Sequence, residues 1–160
     1  MMGREVRMVP KNWEHPKKDN GEYIPLFEGP FELDANEWDK ECIEWNSGNY
    51  PDYASEENKK LSYSEWNGER PEKCDYMTSF KDEEKTHLMM YETTTEGTPI
   101  SPAFKTPEEL ARWLADNNAS AFGSSTATYE QWLSTCKSGF APSAVYTTEN
   151  GLQSGVEALL

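Results

Sequence analysis

The chain has 160 residues, with 15 Lys or Arg against 29 Asp or Glu, for a formal net charge of −14. That length suits one domain with a sizeable core, and so acidic a surface repels nucleic acid and anionic membrane while drawing in basic proteins. Only 36% of residues are hydrophobic, yet six Trp within a 12% aromatic share supply large apolar area, which excludes a disordered acidic chain.

The charge is uneven: residues 1–20 are slightly basic, 21–90 hold 18 carboxylates and 7 bases, and 91–160 hold 8 and 3. No run of about 18 apolar residues exists to span a membrane. MMGREVRMVP lacks the apolar stretch of a secretory signal, and Gly3 behind two Met argues against myristoylation. Cys42, Cys74 and Cys136 are odd in number with no short paired spacing, as in a cytosolic protein with reduced thiols.

In chain order, GREVRMV (3–9) alternates as a short strand and Pro10 ends it. WEHPKKDNGEYIPLF reads as loop, interrupted at His15-Pro16, Asn20-Gly21 and Ile24-Pro25. Asp34 is placed to cap the first helix, with Glu37 completing a capping box. Trp38, Cys42 and Trp45 then share one face, Asp39, Lys40, Glu41 and Glu44 the other, and Gly48 ends the helix. Residues 49–85 read mostly as loop, with at most one short helix near 55–66. So long a loop in a compact domain points to a functional segment or to unrecognised structure.

His87–Thr95 has the β-branched and aromatic content of a strand central to the sheet. Thr106, Pro107 and Glu109 start a helix whose stripe is Leu110, Trp113 and Leu114, and Asn117-Asn118 end it. Thr128 and Gln131 start another, with Trp132, Leu133 and Cys136, and Gly139 ends it. SAVYTT and LQSGVEAL flank Glu149-Asn150-Gly151 as a hairpin. The order predicts an α+β fold: one domain over 1–160, a small antiparallel sheet packed against about three short helices, and an acidic loop-rich segment at 49–85. Trp38, Trp45, Trp113 and Trp132 are the expected core anchors.

Candidate chemistry is sparse. The two histidines are far apart and no Cys-x-x-Cys or His-x-x-x-His occurs, so no metal site is assigned. Cys42 and Cys136 lie on apolar helix faces as small hydrophobes, while Cys74, between Glu72 and Asp75, is poorly placed to become a thiolate. His87 reads as a half-buried strand histidine. No phosphate loop, Gly-x-Gly-x-x-Gly or Gly-x-Ser-x-Gly is present, so no catalytic residue and no cofactor are assigned. Two segments remain. Glu96-Gly97-Thr98-Pro99-Ile100-Ser101-Pro102 is either a rigid connector or a preorganised binding loop, with Glu96, Gly97, Thr98 and Ser101 as the contacts. Asp82, Glu83 and Glu84 form a solvated charge run able to meet a basic partner.

The stretch from MYETTTEGTPISPAF through GLQSGVEAL (90–159), with REVRMVPKNWEHPK and YIPLF nearer the start, resembles uncharacterised small acidic proteins encoded by tailed bacteriophages and prophages. Residues 49–85 are the divergent part. The resemblance implies a cytoplasmic setting in a bacterial host and carries over no functional residues.

The leading expectation is a non-enzymatic interaction protein that modulates or inhibits a host protein with a basic surface, such as a defence nuclease or another nucleic-acid-binding protein. It makes no direct contact with nucleic acid or membrane. One version is a nucleic-acid mimic whose carboxylates stand in for phosphates. The alternatives are a small enzyme or nucleotide-binding protein using the 96–102 loop with His87 or Tyr91, and a virion or assembly component. A pocket beside that loop separates the second idea from the first, which asks for a flat, carboxylate-lined surface.

Overall fold

The computed structural model describes residues 2–94 and 96–158; Met1, Thr95, Leu159 and Leu160, and the expectations that reach them, lie outside the described residues. The fold is α+β. Strand β1 (Gly3–Val9) sits inside a four-stranded antiparallel sheet. It pairs on one side with β2 (His87–Glu92), Val6 opposite Met90 and Arg7 opposite Met89. Its other neighbour is β4 (Phe140–Pro142), and β3 (Thr98–Pro99) completes the order β3-β2-β1-β4. β2 is interior, as its composition predicts. The two edge strands escape sequence reading because they are two and three residues long and each contains a proline, which a sheet tolerates at its edge.

Alternation along β1 and β2 gives the sheet two different faces. Val6, Leu88 and Met90 pack against α3 (Pro107–Asp116) and α4 (Tyr129–Ser138), where Leu110, Ala111, Leu114, Trp132 and Cys136 complete a buried core with Ala141 and Val156. Both helices start as expected. Thr106 and Thr128 each accept a hydrogen bond from the third helical amide, at 3.2 Å, and Glu109 and Gln131 reach back to the cap amide. Gly139 ends α4 in the left-handed region at φ 90°. The opposite face carries Arg7, Val9, Met89 and Tyr91, all buried, beneath the segment 10–26.

The hairpin after Pro142 forms as a separate two-stranded sheet, β5 (Val145–Thr147) with β6 (Gly151–Gln153). The second arm does not continue as strand: a short helix, α5 (Gly155–Ala158), follows it, with Ser154 and Glu157 exchanging capping bonds.

By contact density the chain divides into two compact units, residues 1–26 with 80–160, and residues 27–79. The second unit contains α1 (Phe31–Asn46) and α2 (Tyr63–Asn67), with 3-10 turns at Asn58–Lys60 and Lys73–Asp75. The acidic 49–85 segment is thus mostly loop, as expected, interrupted by short 3-10 turns, and its short helix forms later than expected. Its core gathers Trp45, Ala54 and Tyr63, with Trp38, Cys42, Tyr50 and Trp66 partly buried around them. Asp34 does not cap α1. The helix begins at Phe31 behind Pro30, whose fixed φ suits a helix entry, so Asp34 falls in the first turn and accepts a hydrogen bond from the Tyr76 hydroxyl at 2.7 Å. Of the four expected core tryptophans, Trp45 and Trp132 are buried and Trp38 and Trp113 are half-buried.

Candidate functional site

The sheet face opposite the helices buries polar groups. Tyr91 and the Arg7 Nη atoms are paired to backbone or side chains of the loops that cover it, while Arg7 Nε has no hydrogen-bond partner among the described residues. Tyr91 is fully buried; the Trp13 indole N–H donates to its hydroxyl at 3.1 Å, and His15 Nδ1 lies 3.0 Å from that same oxygen. His15 Nε2 is 2.6 Å from the Ile24 carbonyl. A carbonyl only accepts, so Nε2 carries the proton; in the neutral ring Nδ1 is then the acceptor and Tyr91 the donor. Burial, with Arg7 nearby, holds the His15 pKa below the usual histidine value against the opposing pull of the Ile24 carbonyl. Burial also pushes the Tyr91 phenol up to about 12. At neutral pH the pair is an uncharged imidazole and an intact phenol.

Arg7 ties this face to the 96–102 loop. Its guanidinium sits 4.4 Å from the Tyr91 ring centroid, donates from Nη1 to the Leu26 carbonyl at 2.7 Å and from Nη2 to the Glu96 carbonyl at 3.3 Å, and faces Glu5 at 3.6 Å. The approach is close enough to require glycine next door. Gly97 has φ 139°, and a Cβ there would stand 2.2 Å from the Leu26 carbonyl oxygen and 2.3 Å from Arg7 Nη2. Ser101 is turned inward as well, accepting from the Met90 amide at 2.9 Å and donating to the Pro102 carbonyl at 2.8 Å.

Between the 13–23 segment and Pro99–Pro102 opens a cleft of about 810 Å³, within the range of ligand pockets. The 16–24 segment folds back as a small hairpin with Gly21 at its tip, bridging Lys17 to Tyr23. This brings Tyr23 edge-on to His15, with ring centroids 5.5 Å apart, and sets the Lys17 ammonium 5.0 Å from the Tyr23 centroid. Trp13, Tyr23, Trp113, Pro99, Ile100 and Pro102 make the walls; Glu14 and Lys17 are the charged groups of the lining. Both His15 nitrogens and the Tyr91 hydroxyl already have partners within the fold. The cleft therefore presents aromatic and proline surface with one cation and one carboxylate.

The expected contact residues are dispersed. Glu96 is exposed, with a positive φ of 78°; Thr98 is half-buried in β3; Gly97 and Ser101 are buried, their polar groups directed into the fold. The loop joins β2 to α3, and its Pro99–Pro102 part also walls the cleft. Asp82, Glu83 and Glu84 form an exposed 3-10 turn, with Asp82 3.8 Å from Lys85. His87 is half-buried, its Nδ1 2.8 Å from the Thr86 hydroxyl, and does not line the cleft. Burial pushes the Cys136 thiol up to about 12. The exposed Cys74 thiol is raised by its hydrogen bond to Glu72, at 3.5 Å, on a solvent-facing turn with Asp75.

Sequence reading missed Arg7, Trp13 and His15. The available signals were an arginine at an inward-facing strand position and a Trp-x-His pair inside an aromatic-rich loop. Comparison with protein-family models, with curated proteins and with solved structures found no match for this chain.

Proposed function

We propose that the chain is a small interaction protein, phage- or prophage-encoded and acting in the cytoplasm of a bacterial host. It works by binding and not by turnover. Its partner is a host or phage protein with a basic surface, and the cleft seats an apolar, aromatic- or proline-bearing segment of that partner. The observation that carries this reading is the inward engagement of His15 and Tyr91, which leaves the cleft walls of Trp13, Tyr23, Ile100 and Pro102 as the groups offered to a ligand. The −14 net charge supports a basic partner through long-range steering. Inhibition of a defence nuclease is the version in which surface carboxylates replace phosphates.

The test compares wild type with Tyr23→Ser and Pro102→Asp in affinity capture from host lysate at low and moderate salt. A specific protein retained by wild type and lost by both variants is the expected result. Equal capture by all three sinks the cleft as the binding surface.

A second reading, a nucleotide-binding protein, draws on one observation: aromatic walls next to Lys17 suit a base and a phosphate. Saturable quenching of tryptophan fluorescence by a nucleotide, lost in Lys17→Ala, would favour it over a protein partner.

A further inference from the structure

A second cavity, of about 560 Å³, lies wholly within residues 27–79 and is separate from the cleft. Its walls are Trp45, Tyr50, Tyr53 and Trp66, and Glu41 and Glu44 stand on its lining. The sequence builds it locally. Glu41, Glu44 and Trp45 fall at i, i+3 and i+4 on α1 and so share a side of the helix. The turn after Gly48 returns Tyr50 and Tyr53, and α2 adds Trp66. The Trp45 and Trp66 rings stack with centroids 5.1 Å apart at 20°, and Tyr53 continues the stack on Trp66 at 6.0 Å and 30°. Tyr53 is 79% exposed, a large aromatic side chain held over water.

The carboxylates are set for a cation. The Tyr63 hydroxyl donates to Glu41 Oε2, and Asn67 donates to that hydroxyl at 2.8 Å, which fixes the Glu41 side chain and leaves Oε1 for another donor. Among the described residues, no Lys or Arg forms an ion pair with Glu41 or Glu44. The unit carries 14 carboxylates against 5 basic residues, a net charge of −9. The chain already places one cation on these rings: the Lys59 ammonium, paired with Glu56 at 2.7 Å, lies 5.6 Å from the Tyr50 centroid. Electron-rich ring faces next to carboxylates reject an anion and leave a neutral ligand unable to satisfy the charge. Nearly parallel rings favour a flat cation over a spherical one, because a guanidinium stacks on them while presenting paired donors to a carboxylate.

We propose that this cavity binds the side chain of an arginine presented by a basic protein partner, stacked on the Tyr53–Trp66–Trp45 array and hydrogen-bonded to Glu41 and Glu44. The site is independent of the cleft and stands or falls without it. The experiment titrates the full chain with N-acetyl-arginine amide, N-acetyl-citrulline amide and tetramethylammonium, following the indole N–H signals of Trp45 and Trp66 by NMR. Saturable shifts with the arginine amide are expected, with the neutral citrulline analogue about ten-fold weaker or worse. Glu44→Gln and Tyr53→Ser, both at exposed positions, should each weaken binding about three-fold or more with an unchanged circular dichroism spectrum. Tyr23→Ser, in the first unit, should leave it unaltered. The proposal is overturned if citrulline amide binds equally, if both pocket variants bind as wild type does, if Tyr23→Ser removes binding, or if tetramethylammonium binds more tightly than the arginine amide.

Discussion

Arg7 holds two backbone carbonyls 70 positions apart, those of Leu26 and Glu96, and removing it leaves the buried Leu26 carbonyl short of a donor. Arg7→Ala should lower unfolding stability by about 2–4 kcal/mol, read as a shift in urea midpoint at unchanged slope; an unshifted midpoint contradicts the clamp. Gly97→Ala should destabilise even though it adds only a methyl group, because the new atom meets the Leu26 backbone and not a movable side chain. His15 gives a pH signature. Its native pKa lies below the unfolded value near about 6.5, so the unfolded chain binds the proton first. Stability from this residue is present above about pH 6.5 and is lost as pH falls towards the lowered native value. His15→Gln should flatten that part of the stability–pH curve, and a decline identical to wild type between pH 6.5 and 5 would count against the buried neutral imidazole.

At the scale of elements, two caps were legible because they are local: Thr106 with Glu109 and Thr128 with Gln131 lie within one helical turn, whereas the Ser62–Glu65 capping box of α2 was not read. Each Thr→Ala change should cost about 1 kcal/mol, a loss of a few degrees in melting temperature. Trp132→Ala should cost about 3–5 kcal/mol because the side chain is fully buried, and Trp113→Ala less because part of it faces the cleft. An order reversed between the two tryptophans would challenge the placement of the core. The same local logic misled at Asp34, where Pro30 offers an earlier helix start that a capping-box search does not weigh. The cleft was only half legible. Pro99–Pro102 stands out as a stiff segment, but its opposite wall is Trp13 and Tyr23, about 80 positions away, and an irregular loop carries no periodicity to announce which side it packs.

For the whole molecule, if the partner is basic as proposed, acidity would set how fast it arrives more than how tightly it stays. Neutralising Asp82, Glu83 and Glu84 together should slow association several-fold at low salt and far less at high salt, since exposed charges are screened over about 8 Å at physiological ionic strength. Folding should hardly change, as all three side chains are exposed. Identical association rates across salt would remove this turn from the encounter surface.

The edges of the main sheet carry a last consequence. β3 and β4 end its two sides with two and three residues and a proline each. A foreign strand finds only two or three residues, a proline among them, to pair with on either edge strand, which disfavours recruitment of another chain by extension of β3 or β4. Under the proposed binding role, recognition would be left to side chains, and association of copies through the edges of that sheet is disfavoured.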